Sequence, residues 1–224
     1  MGQKRHLRDL SFLDSHERPE ELANSIIHGV GAGLGVAALT LLVTFAGIMG
    51  DPIRVVSFAI YGTTLVLLFT ASTLYHGFKN PKVKRVFRIF DHAAIYLLIA
   101  GSYTPFLLVS MRGSWGWSLF GVIWGFAILG IVQAVCFLDR LKLVALIAYL
   151  AMGLLIVIAF KPLVASLSPG GIVWLVIGGG CYIFGIIFYL AKRIPFNHAV
   201  WHLFVLAGAI SHFFAMLLHV LPQK

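Results

Sequence analysis

The chain has 224 residues, of which 60% are hydrophobic and 11% are charged. Soluble domains carry roughly a quarter charged residues, so this composition excludes a soluble enzyme and favours a membrane protein with several spans. The 17 Lys and Arg residues outnumber the 8 Asp and Glu residues, which gives a net charge of +9. We interpret the excess as basic loops beside anionic lipid headgroups. A nucleic-acid surface is not indicated, because no nucleic-acid motif accompanies the charge.

The start of the chain is polar, and the remainder alternates between long apolar runs and short connections. Residues 1–25 contain no apolar stretch followed by a small-residue cleavage site, so they predict a cytoplasmic tail without a removable signal peptide. A membrane-crossing helix needs about 20 apolar residues. The sequence therefore predicts an all-α fold with one seven-helix transmembrane domain over residues 26–220. The seven runs cover 26–49, 53–76, 89–110, 116–137, 142–160, 171–191 and 197–220.

The distribution of basic residues predicts the orientation. If residue 1 lies in the cytoplasm, thirteen of the Lys and Arg residues fall on the cytoplasmic side. Because cytoplasmic loops are enriched in Lys and Arg, we expect the N-terminus inside and the C-terminus outside. The outer side then holds the other four, Arg54, Arg112, Lys161 and Lys224.

Polar residues interrupt three of the runs near one end of each. The second run ends with Ser72 and His76, the third begins with Asp91, and the seventh begins with His198 and His202. The second run crosses the membrane in the opposite direction to the other two, so all five residues fall at one depth on the cytoplasmic side. Asp91 is the only acidic residue in any of the runs. Ionisable groups inside a membrane are costly, and their convergence indicates a functional site.

The histidine spacing indicates that this site binds a metal. His198 and His202 are four residues apart and share one face of a helix, and His76 supplies a third imidazole. Three imidazoles with one open position are typical of catalytic zinc, which lowers the pKa of its bound water to about 7. Asp91 could orient or deprotonate that water, and Ser72 could hydrogen-bond beside it. Two alternatives stay open: histidines that only pack, and an electrostatic or supporting role for Asp91.

The other histidines are weaker candidates for the same site. His28 lies one turn into the first run on the same side, with Asn24 and Glu21 before it, and the segment EELANSIIH could cap the helix and pack beside the site. His92 follows Asp91 but points about 100° away on a helix, so packing or hydrogen bonding is expected. His212 and His219 lie about 21 and 32 Å further along the seventh run than His198, too far to share its metal.

Four segments of the chain resemble one protein family. They are EELANSIIHG, ASTLYH, FDHAAIYLLIAGSYTPF and KRIPFNHAVWHLFVLAG, and they resemble the bacterial haemolysin III proteins. These proteins belong with the progestin and adipoQ receptor superfamily, related to the adiponectin receptors and alkaline ceramidases. The resemblance implies a seven-helix protein of the bacterial inner membrane. It also implies a zinc ion on His76, His198 and His202, with Asp91 and Ser72 beside the zinc-bound water.

Three functions are compatible with this pattern. The first is zinc-dependent hydrolysis of a lipid amide or ester linked to membrane-lipid homeostasis, as the ceramidase-type relatives imply. The second is a non-enzymatic, receptor-like sensor or regulator of the membrane in which zinc is structural. The third, a pore-forming cytolysin, is suggested by the family name and disfavoured because no span carries a continuous polar stripe. Membrane lipids are the expected substrate or ligand, and nucleic acid is not.

Overall fold

The structure is a computed structural model that describes the backbone of residues 2–222 and the side chains from Arg18 to residue 222. Over this part of the chain the regular structure is entirely helical. Four of the basic residues behind the predicted orientation, Lys4, Arg5, Arg8 and Lys224, lie outside the described side chains.

Seven helices between residues 18 and 220 are long and apolar enough to cross a membrane, so the predicted seven-helix, all-α fold is confirmed. Each predicted run overlaps one of them. The first helix is longer than expected, because residues assigned to a polar tail are helical and continuous with the first span. The orientation of the ends stays a prediction from the charge bias. The helices are α1 Gly2–Ile48, α2 Pro52–Gly77, α3 Pro81–Ser110, α4 Ser114–Phe137, α5 Lys142–Ser166, α6 Pro169–Leu190 and α7 Asn197–Val220.

Three of the helices begin with the same N-terminal motif, in which a capping side chain is followed by proline. Asp51 accepts a hydrogen bond from the Ile53 amide at 3.0 Å, and Asn80 accepts one from the Lys82 amide at 3.0 Å. Ser168 does the same more weakly for Gly171, at 3.4 Å. Proline at the first helical position lacks the amide hydrogen that would have no partner there. These sequence pairs therefore fix where α2, α3 and α6 start.

α1 packs against both α2 and α7. α2 also packs against α3, α3 against α4, and α6 against α7. In the interior, the buried Tyr61 hydroxyl of α2 donates to the Ala209 carbonyl of α7 at 3.4 Å. Polar groups in hydrocarbon must find partners within the protein, so this bond ties two helices that are far apart in sequence.

An irregular turn interrupts each of α3 and α5, and a tyrosine of α3 hydrogen-bonds to the backbone of α5 at the second of these turns. α3 becomes a π turn at Phe106–Ser110 directly after Pro105, where the ring interrupts the helical hydrogen bonds. α5 contains a 3₁₀ turn at Leu155–Ala159. The Tyr103 hydroxyl accepts from the Ile156 amide at 3.0 Å and donates to the Met152 carbonyl at 2.9 Å. Backbone groups released by the irregular turn thus keep partners inside the protein.

Glycines allow close contact between α1 and α2. A Cβ atom at Gly62 of α2 would lie 2.6 Å from Cδ1 and 2.8 Å from Cα of Leu39 in α1. A Cβ at Gly31 would lie 2.6 Å from the buried Phe69 ring. By contrast, a Cβ at Gly33 would meet no atom within 4 Å. The alternate glycines of α1 therefore have different roles, and only one face requires them.

Replacing Gly62 by valine is predicted to destabilise the bundle. The new side chain would collide with the Leu39 backbone, which cannot move aside as a flexible side chain can, and overpacking of this kind costs about 1–3 kcal/mol. Thermal unfolding in detergent, followed by a fluorescent thiol or tryptophan signal, measures the effect. Gly33→Val is the matched control and should unfold near the wild-type temperature. Equal unfolding temperatures for Gly62→Val and Gly33→Val would contradict the packing described.

Candidate metal centre

The side chains of His76, His198 and His202 meet where the end of α2 lies beside the start of α7. One ligand atom from each lies within 4.8 Å of the other two. The closest pair, Nε2 of His76 and Nε2 of His202, is 3.1 Å apart. His76 and His202 are buried and His198 is half-buried. The convergence predicted from helix direction and spacing is therefore present.

The donor set and its surroundings fit a metal ion. Two imidazole nitrogens on one tetrahedral zinc lie about 3.4 Å apart, given a bond of about 2.05 Å, and the 3.1 Å pair is close to that value. Beside the cluster, the buried Nδ1 atom of His202 has no hydrogen-bond partner among the described residues. Buried polar atoms normally have partners, so a set of three imidazoles with this gap suits a site for a cation and its ligands.

Residues of α1 orient the His76 ring. Oε1 of Glu21 lies 3.2 Å from His76 Nδ1, and the Asn24 amide nitrogen lies 3.5 Å from the same atom. Glu21 in turn contacts the Lys84 ammonium of α3. A proton on Nδ1 that is donated to the carboxylate leaves the Nε2 lone pair free for a metal. This is the carboxylate–histidine–metal arrangement common in metalloproteins.

The neighbouring carboxylate of α1 holds the start of α7. Oε1 of Glu20 accepts a hydrogen bond from the His198 amide at 2.9 Å. A carboxylate at a helix N-terminus satisfies an unpaired amide and interacts favourably with the helix dipole. The chain enters α7 through Phe196, which has a left-handed backbone (φ 57°). The side-chain amide of Asn197 donates a hydrogen bond to the Phe188 carbonyl at 3.0 Å. Glu20 and Asn197 thus fix the turn that presents His198 and His202.

Asp91 and Ser72 join the site from α3 and α2. Asp91 is buried, and its carboxylate interacts electrostatically with His92 and with His76. Its other close neighbour is Ser72, which is fully buried one turn before His76. All five residues selected from the sequence therefore lie in one region, although the chemical roles assigned to Asp91 and Ser72 stay predictions.

The other histidines lie at different distances from the cluster. The centroid of the buried His28 ring lies 3.7 Å from that of His202, so His28 packs directly on a ring of the cluster. His92 Nδ1 lies 2.9 Å from the Arg88 carbonyl oxygen and 3.5 Å from Oδ2 of Asp91. His219 lies near the other end of α7, where its ring contacts the Ser168 hydroxyl at 2.8 Å.

The start of α1 supports the cluster. Glu21, Asn24 and His28 follow one another at intervals of three and four residues, which places them on one helical face. The segment EELANSIIH is expected from the sequence to pack beside the site, and all three of these side chains contact rings of the cluster. The contact of Glu20 with the His198 amide was not predicted.

The fold and the site together define a class: a membrane protein of seven helices with a buried histidine cluster and an aspartate near one end. The chain belongs to the haemolysin-III-related family, which matches residues 16–213. The resemblance inferred from the sequence motifs is therefore confirmed.

Similar proteins occur in bacteria and in animals. Hemolysin-3 of Bacillus cereus is 48% identical over 203 residues, which is 91% of this chain and 93% of that protein. The Hemolysin-3 homolog of Bacillus subtilis (strain 168) is 46% identical over 200 residues, covering 89% and 94% of the two chains. The human monocyte to macrophage differentiation factor is 32% identical over 166 residues, covering 70% and 67%. Relatives of this chain thus occur in bacteria and in humans.

We predict that the purified protein binds one divalent metal ion per chain and that the three imidazoles hold it. Elemental analysis of the wild type should give a ratio near one, and the His198→Ala/His202→Ala variant should lose the ion. His219→Ala removes an imidazole from the far end of α7 and should retain it. Full metal content in the double variant would show that the cluster is not the binding site.

We also predict that Glu21→Gln weakens metal binding without abolishing it. Removing the charge that orients His76 should reduce metal affinity about 10–100-fold, the range for supporting residues of this type. Competition with a chelator measures the change. Glu20→Gln is the control, because its amide oxygen can still accept from the His198 amide. An equal loss of affinity in both variants would indicate a general effect of α1 charge.

Proposed function

We propose that this protein is a zinc-dependent hydrolase that cleaves an amide or ester bond of a membrane lipid and contributes to membrane-lipid homeostasis. The observation that carries the proposal is the meeting of three imidazoles with a buried aspartate and serine at one end of a membrane bundle. A hydrolase needs a means to activate water and a means to polarise a carbonyl. No other group of three potential metal ligands was found among the residues that the structure describes.

Zinc is the ion that the donor set suits best. Neutral imidazoles favour zinc over magnesium or calcium, which prefer oxygen ligands. When bound by three histidines, zinc lowers the pKa of a coordinated water to about 7 and polarises carbonyl oxygens. His76 would bind through Nε2, because its Nδ1 atom faces Glu21. His198 and His202 would bind from adjacent turns of α7.

Asp91 is the residue that we assign to proton transfer. Its carboxylate is buried and interacts electrostatically with His76. As general base it would take a proton from the attacking water and deliver it to the leaving amine or alkoxide. The buried Ser72 hydroxyl lies beside this carboxylate and would orient it or the attacking water.

The surroundings of the cluster support a lipid as the substrate. Ile26 of α1, half a turn from His28, is 57% exposed, and Leu203, next to His202, is 52% exposed. Apolar side chains exposed on a membrane helix face acyl chains. His198 is the least buried of the three imidazoles, so a lipid would approach the cluster from the side of His198. With the orientation that the basic residues predict, this entry lies in the cytoplasmic leaflet of the bacterial inner membrane.

A structural metal is the second candidate, and one observation favours it. The cluster joins α2 to α7, and Glu20 and Glu21 of α1 contact both helices, so a metal would also act as a clasp. A protein of this kind would report on the membrane without hydrolysing a bond. Such a protein needs the metal for stability but does not need Asp91 for chemistry.

Asp91→Asn separates the two candidates. The amide keeps the shape of the side chain but cannot act as a base, so lipid hydrolysis should fall by about 10²–10⁴-fold while metal content and unfolding temperature stay near wild type. Release of fatty acid from defined ceramides and phospholipids by the zinc-loaded protein provides the measurement. Asp51→Asn changes an aspartate at the other end of the bundle and is the control. Absence of hydrolysis in the zinc-loaded wild type would contradict the enzymatic proposal.

A further inference from the structure

A cavity of about 330 Å³ lies between the first turns of α3 and the end of α4. It is on the same side of the bundle as the histidine cluster, because α2 ends and α3 begins there. Ligand pockets generally measure about 300–1,000 Å³, so this volume suits a headgroup rather than a whole lipid. The lining relevant to its chemistry consists of Arg85, Arg88, Cys136, Phe137, Asp139 and Arg140.

The cavity carries an excess of positive charge. Three guanidinium groups and one carboxylate line it. Asp139 pairs with Arg88, whose Nη2 lies 2.8 Å from Oδ1 of the carboxylate. This hydrogen bond and the charge of Arg88 hold the pKa of Asp139 below its usual value. Arg85 and Arg140 form no salt bridge with any side chain described here. Two guanidinium groups are thus available to an anion from outside the chain.

The walls next to the cavity are suited to acyl chains. Val135 of α4 is 56% exposed, and Phe137 and Val86 are also exposed. These side chains continue the lipid-facing surface of α4 up to the arginines. An occupant would therefore meet guanidinium groups at the boundary and hydrocarbon-facing residues directly beside them. A charged headgroup joined to two acyl chains has this combination, and a soluble anion has only the first part.

We propose that this cavity binds the phosphate group of an anionic phospholipid, with Arg85 and Arg140 as the principal ligands. Arginine presents a planar fork of donors that matches phosphate oxygens in two-point hydrogen bonds. The Arg88–Asp139 pair lines another side of the cavity. The phospholipid is a bound ligand here and undergoes no reaction. The inference does not depend on the metal or on hydrolysis, since it uses no residue of the histidine cluster.

Cys136 provides a reporter within the cavity. It is an exposed free cysteine, and Cys181, the other cysteine of the chain, can be replaced by serine to leave a single thiol. The full chain would be purified in a neutral detergent, and reaction of Cys136 with an uncharged maleimide would be followed during titration with phosphatidylglycerol. Phosphatidylcholine supplies the same phosphodiester without net charge. Glycerol 3-phosphate and inorganic phosphate supply the soluble anions.

Phosphatidylglycerol is expected to slow the labelling of Cys136 at much lower concentrations than phosphatidylcholine or either soluble phosphate. A basic residue at a membrane surface contributes about 5-fold in affinity, so Arg85→Gln/Arg140→Gln should weaken protection roughly 25-fold. Lys79→Gln/Lys82→Gln removes the same charge from exposed positions outside the cavity and should keep the protection. The wild-type comparison of lipids requires no variant, so the test does not depend on how the variants fold.

Three results would overturn the proposal. The first is equal protection by phosphatidylglycerol and phosphatidylcholine, which would mean that charge is not recognised. The second is an equal loss in the arginine and lysine variants, which would assign the effect to general surface charge. The third is protection by glycerol 3-phosphate that matches that of the lipid, which would assign the cavity to a soluble phosphate.

Discussion

The structure depends on the placement of polar side chains where water is scarce. His76 is at the centre of this constraint, because each of its two ring nitrogens has a different partner. Nδ1 faces Glu21 of α1 at 3.2 Å, and Nε2 faces His202 of α7 at 3.1 Å. Unpaired polar groups are expensive in such surroundings, so the contacts fix the ring and also hold α2 against both α1 and α7. The site and the packing order of three helices therefore have the same physical cause.

Burial is uneven across the bundle, and the site lies in its more buried part. Two-thirds of the most apolar stretch of α3 is buried, compared with 17% in α5 and in α6. Well-packed helices hold side chains in single rotamers, which suits a site that needs several groups at fixed distances. Helices at the edge are determined mainly by hydropathy and lipid contact. This division explains how a bundle with few polar residues can still position a cluster accurately.

Hydropathy was sufficient to predict the seven spans, since crossing a bilayer imposes both length and composition on each helix. The alternating direction of the spans then placed Ser72, His76, Asp91, His198 and His202 at one depth, and the structure brings them together. The hydrogen bond from the His198 amide to Glu20 was not predicted, because the two residues lie at the starts of helices that are 178 positions apart in the chain. The cavity lined by Arg85, Arg88 and Arg140 was not predicted, because a single sequence does not state which helix ends are neighbours.

The depth of the site bears on the chemistry proposed for it. Arg88 lies at the charged boundary and Asp91 is buried, yet three residues of helix separate them by about 4.5 Å of rise. The change from a charged boundary to a buried carboxylate thus takes less than one helical turn. Amide and ester groups of membrane lipids occupy the same narrow zone, between the headgroups and the acyl chains. In the proposed hydrolase, a carboxylate at this depth would meet such a bond without drawing the lipid out of its leaflet.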